Sequence, residues 1–130
     1  MTIGSILTVD DDENDLFVCN YTIRRFDPQI IVLKAMNGLE ALTVLRQTTP
    51  DAIILDINMP VMSGFEFLEH YLRDFGTHMP VVAMLTSSHH ANDRERALRY
   101  GFVKSYFEKP LTSENLRQLA ALLDTAKNRA

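Results

Sequence analysis

The segment AIILDINMP, residues 52–60, decides how this chain folds. Four apolar residues, a pattern typical of a strand inside a sheet, lead directly into the carboxylate of Asp56. The apolar residue Ile57 follows, so no helix begins at once for Asp56 to cap. Because a lone buried carboxylate is costly, we expect Asp56 to meet a cation, a metal ion or another polar group at the end of its strand.

Short apolar runs alternate with helical patterns on both sides of this segment. The five predicted strands are residues 5–9, 30–35, 52–55, 80–85 and 103–107. Helical stripes separate them, as in Leu16, Cys19, Ile23 and Phe26, although residues 91–100 are more polar. Strand–helix alternation repeated five times predicts an α/β fold, a doubly wound parallel sheet with helices on both faces.

The fifth predicted strand differs in character from the other four. The first four are continuous apolar runs, which predict strands buried on both faces. In the fifth, Val103, Ser105 and Phe107 alternate with more polar neighbours, including Lys104. This alternation predicts a half-exposed strand at one edge of the sheet.

Composition excludes several classes of function. A chain of 130 residues with 46% apolar residues fits one globular domain, and a net charge of −4 without a basic run disfavours nucleic acid and anionic membranes as partners.

The single cysteine, Cys19, forms no internal disulfide and is expected to be a small buried hydrophobe. No signal peptide and no run of roughly 20 apolar residues is present. We therefore expect a soluble cytoplasmic protein. Composition does not decide between a monomer and a weak dimer.

Polar side chains follow four of the five predicted strands. They are Asp10, Asp11 and Asp12 after the first strand, Asp56 and Asn58 after the third, Thr86 and Ser87 after the fourth, and Lys109 after the fifth. The carboxyl ends of parallel strands share one edge of a sheet, where ligands bind. If the first and third strands are neighbours, the carboxylates of Asp10, Asp11 and Asp56 converge and cannot all stay ionised unaided.

A hard divalent cation resolves this repulsion. Mg²⁺ is typically bound through one or two carboxylates together with a substrate phosphate. Lys109 and the Thr86 hydroxyl would then face the same phosphate, an arrangement that stabilises phosphoryl transfer. A carboxylate can itself accept the phosphoryl group, and Asp56 is the candidate acceptor because it stands isolated at the centre of the rim. Asp12, Glu13 and Asp15 are assigned to the start of the first helix, where acidic residues are favourable.

Taken together, these motifs resemble the receiver domain of bacterial two-component response regulators. The stretches that carry the resemblance are ILTVDDDEND (6–15), LDINMPVMSGFEFL (55–68), VVAMLTSS (81–88) and SYFEKPL (105–111). The resemblance covers essentially the whole chain. It implies a flavodoxin-like (βα)5 fold with strand order 2-1-3-4-5, and one receiver domain over residues 1–130 without an output domain.

The resemblance also implies the parts of a phosphorylation site. Asp56 would be the phosphoacceptor, Asp11 would bind Mg²⁺ directly, and Asp10 would bind it through water. The backbone carbonyl of Asn58 would be a third protein ligand of the metal. Thr86 would hydrogen-bond the phosphoryl group.

Further roles implied by the resemblance concern the fifth strand and the partners. Lys109 would pair with the phosphoryl group, and its peptide bond to Pro110 would be cis. Tyr106 matches the aromatic residue that swings inward on activation, together with Thr86. The protein would take phosphate from a sensor histidine kinase and catalyse only its own phosphorylation and dephosphorylation. The face formed by the fourth helix, fifth strand and fifth helix would then bind a downstream protein partner or a phosphotransfer protein.

One departure and three alternatives stay open. Between Gly101 and Lys109 the chain has one residue more than the commoner family pattern, which leaves open where the fifth strand begins and whether Lys104 is exposed. A haloacid-dehalogenase-like phosphatase would use Asp10 as nucleophile and Asp12 as acid/base. A flavodoxin-like binding module would need a Ser/Thr/Gly-rich loop after the first strand, where this chain has acids. Residues 89–90 are two histidines, interpreted as a solvated loop rather than a metal site.

Overall fold

Strands and helices alternate along the whole chain. The structure, a computed structural model, describes residues 3–59, 62–75, 80–87 and 91–128. The strands are β1 (Ser5–Val9), β2 (Ile31–Ala35), β3 (Ala52–Leu55), β4 (Val81–Thr86) and β5 (Val103–Glu108). The helices are α1 (Glu13–Phe26), α2 (Gly38–Gln47), α3 (Gly64–Phe75), α4 (Ala91–Leu98) and α5 (Ser113–Asn128). The two histidines at residues 89–90 lie outside the described residues.

The five strands form one parallel sheet in the order β2-β1-β3-β4-β5. This order confirms the α/β fold class and the topology implied by the resemblance. The predicted bounds of β1 and β3 are confirmed, those of β2 and β5 differ by one residue at one end, and those of β4 differ by one residue at both ends. Because β1 and β3 are neighbours, their carboxyl ends lie side by side at one edge of the sheet.

Two hydrophobic clusters cover the two faces of the sheet. Alternate strand residues such as Leu7 and Leu55 pack with Leu68 on the side of α2 and α3. Their neighbours, such as Ile6 and Ile54, pack against the residues of α1 and α5. Truncating a fully buried leucine in such a cluster typically costs about 2–5 kcal/mol, so the sheet is a rigid support for the loops at its edge.

The prediction that β2 is buried on both faces is wrong. Ile31 is 64% exposed and Lys34 is exposed, because β2 is the last strand on its side of the sheet and pairs only with β1. Its apolar run does not distinguish an edge strand from a central one. The prediction for β5 is confirmed: this strand forms the opposite edge, with Val103 and Phe107 buried, Lys104 and Glu108 exposed, and the two residues between half-buried.

A β-bulge lies at the start of β5, in the stretch before Lys109 where the sequence left the start of the strand open. Val82 pairs with Val103, but the next residue of β4, Ala83, pairs with Ser105, so Lys104 has no opposite residue in the ladder. Lys104 is exposed, which settles the question that its sequence position left open. Beyond the bulge the register is regular as far as the pair Thr86 and Glu108 at the carboxyl end.

The first helix begins where the sequence predicts. Asp12 is its N-cap, and the Asp12 carboxylate accepts hydrogen bonds from the backbone N–H groups of Asn14 at 2.8 Å and Asp15 at 3.2 Å. The more polar stretch 91–100 also contains a helix, α4. Among the residues that the structure describes, no helix has the length and apolar character needed to cross a membrane.

Candidate functional site

Three carboxylates meet at the carboxyl ends of β1 and β3. The register pairs Val9 with Leu55, so Asp10 and Asp56 follow side by side. The Asp56 N–H donates to the Val9 carbonyl at 3.0 Å, which continues the ladder to the first residue of the loop. Carboxylate oxygens of Asp10, Asp11 and Asp56 all lie within 4.8 Å of one another. The convergence predicted from the strand ends is therefore confirmed, and we call these three residues the acidic cluster.

Two members of the acidic cluster are buried, and the third is more accessible to solvent. Asp10 and Asp56 are each only 6% exposed, whereas Asp11 is more accessible. Two of the three carboxylates thus have little water to solvate them. Asp56 gains one local donor, because its Oδ1 accepts a hydrogen bond from the Ile57 N–H at 2.8 Å.

Lys109 is the cation that faces these buried carboxylates. Its Nζ lies 2.7 Å from Oδ2 of Asp10, 2.8 Å from Oδ2 of Asp15 and 3.5 Å from Oδ2 of Asp56. The peptide bond between Lys109 and Pro110 is cis, as the resemblance implies. The group that Asp56 was expected to meet is therefore this lysine together with Asp10.

The sequence did not predict the contact between Lys109 and Asp15. Asp15 lies in the first turn of α1, as expected, but its side chain reaches across to β5 rather than serving only the helix terminus. The N-cap at Asp12 places the first turn of α1 beside the rim of the sheet. The predicted start of the helix therefore indicated that residues of this turn lie near the site. The direction of the Asp15 side chain depends on how α1 packs beside the end of β5, which the sequence does not show.

Burial raises the pKa values of the two buried carboxylates, and the charge of Lys109 lowers them only in part. Burial raises the pKa of Asp56, the neighbouring charge of Asp10 raises it further, and Lys109 only partly offsets both. The pKa of Asp10 is also raised by burial, against the hydrogen bond from Lys109. Burial lowers the pKa of Lys109, but its hydrogen bonds to Asp10 and Asp15 outweigh this, so the net shift is upward. The lysine stays charged at neutral pH, and the carboxylates still favour one more cation.

The loop after Asp56 is held by close contact with Gly64, the first residue of α3. The Gly64 N–H donates to the Ile57 carbonyl at 2.7 Å. A Cβ on Gly64 would lie 2.8 Å from Ile57 Cα and closer still to the Asp56 carbonyl oxygen. Only glycine allows this approach. The sequence does not show this contact, because it depends on the loop folding back onto the start of α3.

Thr86 and Tyr106 lie on the β4–β5 side of the site. Thr86 is fully buried at the end of β4, and its carbonyl accepts a hydrogen bond from the Lys109 N–H at 3.0 Å. Leu55 pairs with Met84, so Asp56 and Thr86 extend neighbouring strands at the same edge. The ring of Tyr106 packs against the cluster under α2 and α3, and its hydroxyl oxygen is buried.

The two remaining expectations concern Asn58 and Cys19. Asn58 is exposed two residues after Asp56, and the role of its carbonyl as a metal ligand stays a prediction. Cys19 is buried, as predicted, and burial raises the pKa of its thiol to about 12. A thiol with this pKa is not a nucleophile at neutral pH.

The donor set of the acidic cluster fits Mg²⁺. It offers three hard oxygen ligands, of which two are buried and one faces the solvent, so that a bound ion would keep several waters. A cysteine or histidine ligand, which would favour zinc, is not part of this group within the described residues.

A parallel α/β sheet with an acidic cluster and a lysine at its carboxyl edge defines a class of phosphoacceptor signalling domains. The chain belongs to the response regulator receiver domain family, whose model matches residues 6–121. It is similar to protein PilH of Pseudomonas aeruginosa, with 31% identity over 114 residues that cover 88% of this chain and 92% of PilH. It is also similar to the polar-differentiation response regulator DivK of Brucella anthropi, with 34% identity over 83% of this chain and 85% of DivK.

Solved structures agree with this assignment. A two-component response regulator from Cytophaga hutchinsonii superposes with a TM-score of 0.89 and 27% identity over 96% of this chain and 99% of that protein. The chain is therefore a phosphoacceptor signalling domain rather than a conventional enzyme. The family match leaves the haloacid-dehalogenase alternative and the flavodoxin-like binding module without support.

Proposed function

We propose that Asp56 is the phosphoacceptor of a switch that a sensor histidine kinase phosphorylates. The observation that carries this proposal is the position of the Asp56 carboxylate, which is 6% exposed, within 4.8 Å of two other carboxylates and 3.5 Å from the Lys109 ammonium. Asp10 is already paired with Lys109 at 2.7 Å, whereas the longer distance of 3.5 Å from Asp56 to the ammonium leaves Asp56 with a cation beside it that is not yet its direct partner.

The transfer is a displacement at phosphorus. A carboxylate oxygen of Asp56 attacks the phosphorus of a phosphohistidine, the new O–P bond forms, and the P–N bond breaks. The electron pair of that bond stays on the imidazole nitrogen, which takes up a proton from water. Asp11 would hold Mg²⁺ directly, Asp10 through water, and the Asn58 carbonyl would complete the protein ligands. When bound, Mg²⁺ neutralises the charge that develops on the phosphoryl oxygens.

Lys109 and Thr86 act on the product. Phosphorylation adds about −1.5 to −2 charges and strong acceptor oxygens to Asp56. The Lys109 ammonium would pair with one of these oxygens, and the Thr86 hydroxyl would donate to another. Hydrolysis of the acyl phosphate by water would return the domain to its starting state, so the protein would catalyse only its own phosphorylation and dephosphorylation.

The proposed output lies on the face formed by α4, β5 and α5. Thr86 and Tyr106 lie on the paired strands β4 and β5. A shift of Thr86 towards the phosphoryl group would leave a space, and the ring of Tyr106 would then move into it. Such a local charge event biases a two-state element and changes which surface a partner meets. The partner would be a downstream protein or a phosphotransfer protein, and residues 1–130 would act as one receiver domain in the cytoplasm, as a monomer or a weak dimer.

Labelling with a small acyl phosphate in the presence of Mg²⁺ tests the assignment. We expect wild-type protein to acquire one acid-labile phosphoryl group, mapped by mass spectrometry to Asp56, and the Asp56→Asn variant to acquire none. Asp12→Asn is the matched control, because asparagine keeps the helix cap and the variant should label like wild type. Full labelling of Asp56→Asn, or a phosphoryl group mapped to Asp10, would refute the proposal.

A further inference from the structure

Lys109 is shared among three carboxylates, two of which lie closer to it than the third. Its Nζ lies 2.8 Å from Asp15 and 2.7 Å from Asp10, but 3.5 Å from Asp56. The side chain that is proposed to pair with a phosphoryl group on Asp56 is thus held closer to two other carboxylates. Asp15 comes from α1, 94 positions before Lys109 in the chain, and the phosphorylation mechanism proposed above gives it no role.

The backbone of Lys109 is fixed, so its side chain carries any movement. The Lys109 N–H donates to the Thr86 carbonyl at 3.0 Å, which ties this residue to the end of β4. The Lys109 side chain is 16% exposed, whereas that of Asp15 is 44% exposed. Within the described part of the chain, the carboxylates in ion-pair contact with Lys109 are those of Asp10, Asp15 and Asp56.

These three carboxylates differ in what a divalent cation would do to them. Asp10 and Asp56 belong to the acidic cluster, so a bound cation would share their charge and weaken their hold on Lys109. Asp15 is not a member of that cluster and would keep its full attraction for the lysine. Once the metal site is filled, Asp15 is the carboxylate from which a phosphoryl group must draw Lys109 away.

We propose that Asp15 is a positioning residue that competes with the phosphoryl group on Asp56 for Lys109 and so limits the stability of the phosphorylated state. This inference rests on the proposed function of Asp56. It assigns to α1 a part in setting how strongly the domain holds its phosphoryl group. A substitution that releases Lys109 from Asp15 should make the phosphorylated arrangement more favourable.

Binding of beryllofluoride, a non-covalent phosphoryl analogue, tests this inference at saturating Mg²⁺. We expect isothermal titration to show that Asp15→Asn binds the analogue about three- to fivefold more tightly than wild type, which converts to ~0.7–1 kcal/mol and lies in the range of partly exposed ion pairs. Asp12→Asn removes the same charge from the N-cap of the same helix, whose carboxylate is not among those in ion-pair contact with Lys109 in the described part of the chain, and its affinity should stay within about twofold of wild type. Damage to the fold would weaken binding, so a tighter complex cannot arise from it.

The outcomes separate the two proposals. Wild-type protein that fails to bind beryllofluoride with Mg²⁺ would contradict the proposed function of Asp56 itself. Wild-type binding with an unchanged or weaker affinity in Asp15→Asn would overturn the inference about Asp15 alone. An equal tightening in Asp12→Asn would also overturn it, because the effect would then be the general loss of negative charge rather than release of Lys109.

Discussion

Neutralising the phosphoacceptor candidate should stabilise the metal-free protein. In Asp56→Asn the side chain keeps its shape, and its amide oxygen can still accept the hydrogen bond from the Ile57 N–H, which Oδ1 accepts at 2.8 Å in wild type. The substitution removes one of three negative charges whose oxygens lie within 4.8 Å of one another. It therefore relieves repulsion and desolvation at a site that the raised pKa of Asp56 already marks as unfavourable for a charge.

The distances bound the size of the effect. Two carboxylates at 4.8 Å, the upper limit of the separations in the cluster, repel by ~3.5 kcal/mol at an effective dielectric constant of about 20, so the two neighbours together oppose the charge of Asp56 by at least ~7 kcal/mol. Lys109 at 3.5 Å returns ~4.7 kcal/mol. The balance is unfavourable by at least ~2 kcal/mol, and solvent around the more exposed Asp11 reduces it. We expect a gain of about 1–2 kcal/mol, which for 130 residues raises the melting temperature by about 4–8 °C.

Thermal unfolding in a metal chelator measures this gain directly. Wild type, Asp56→Asn and the control Asp12→Asn are compared by circular dichroism, and urea unfolding of the same proteins provides the free energy. Asp12→Asn removes the same formal charge outside the acidic cluster and should move the melting temperature by no more than about 2 °C. A melting temperature of Asp56→Asn equal to or below that of wild type would show that Lys109 already balances the cluster, and the reasoning would fail.

Four further predictions follow from the same geometry. Mg²⁺ at 100 times its dissociation constant should stabilise wild type by ~2.7 kcal/mol in urea unfolding, whereas Asp11→Asn, lacking a proposed ligand, should show less than half of that gain. The pKa values of Asp10 and Asp56 are raised in the folded protein, so the stability that these groups contribute to the metal-free protein is present below their ordinary pKa and is lost as pH rises through their folded pKa values. Urea unfolding at a series of pH values should therefore show a higher contribution on the acid side, and its absence would contradict the raised pKa values. Gly64→Ala should displace the loop after Asp56 and slow labelling by an acyl phosphate at least about tenfold, while a stability loss without slower labelling would exclude that role. Lys109→Met should still accept phosphate but show a weaker change in the amide NMR shifts of β5 on phosphorylation, and an unchanged response would remove Lys109 from the switch.

The sequence was most informative where a residue follows directly after a predicted strand, because the end of the strand then fixes its place in the fold. The four apolar residues before Asp56 form the central strand β3, and the third carboxylate of the cluster follows them as predicted. Parallel strands bring their carboxyl ends together, so strand ends alone identify the side chains that share a rim. For this reason the sequence alone predicts that Asp10, Asp56 and Lys109 share one site.

The contacts that the sequence did not reveal depend on the directions of side chains between elements far apart in the chain. Asp15 is an acidic residue in the first turn of a helix, which is an ordinary position for it. Its contact with Lys109 arises only because the end of β5 lies beside this turn. Gly64 likewise serves a helix start, but the approach of its backbone to Ile57 requires the loop to fold back. The exposure of β2 was missed because an apolar run has the same pattern in a central and in an edge strand.

The bulge in β5 explains how an extra residue leaves the site intact. A one-residue slip in a strand would move each following side chain to the other face of the sheet. Here Lys104 takes up the additional residue at the start of β5, where it is exposed and belongs to an edge strand. The ladder then runs in regular register to Thr86 and Glu108, so Lys109 follows with its N–H on the Thr86 carbonyl. The length change is therefore confined to the end of β5 far from the acidic cluster, and the lysine that the cluster requires stays beside it.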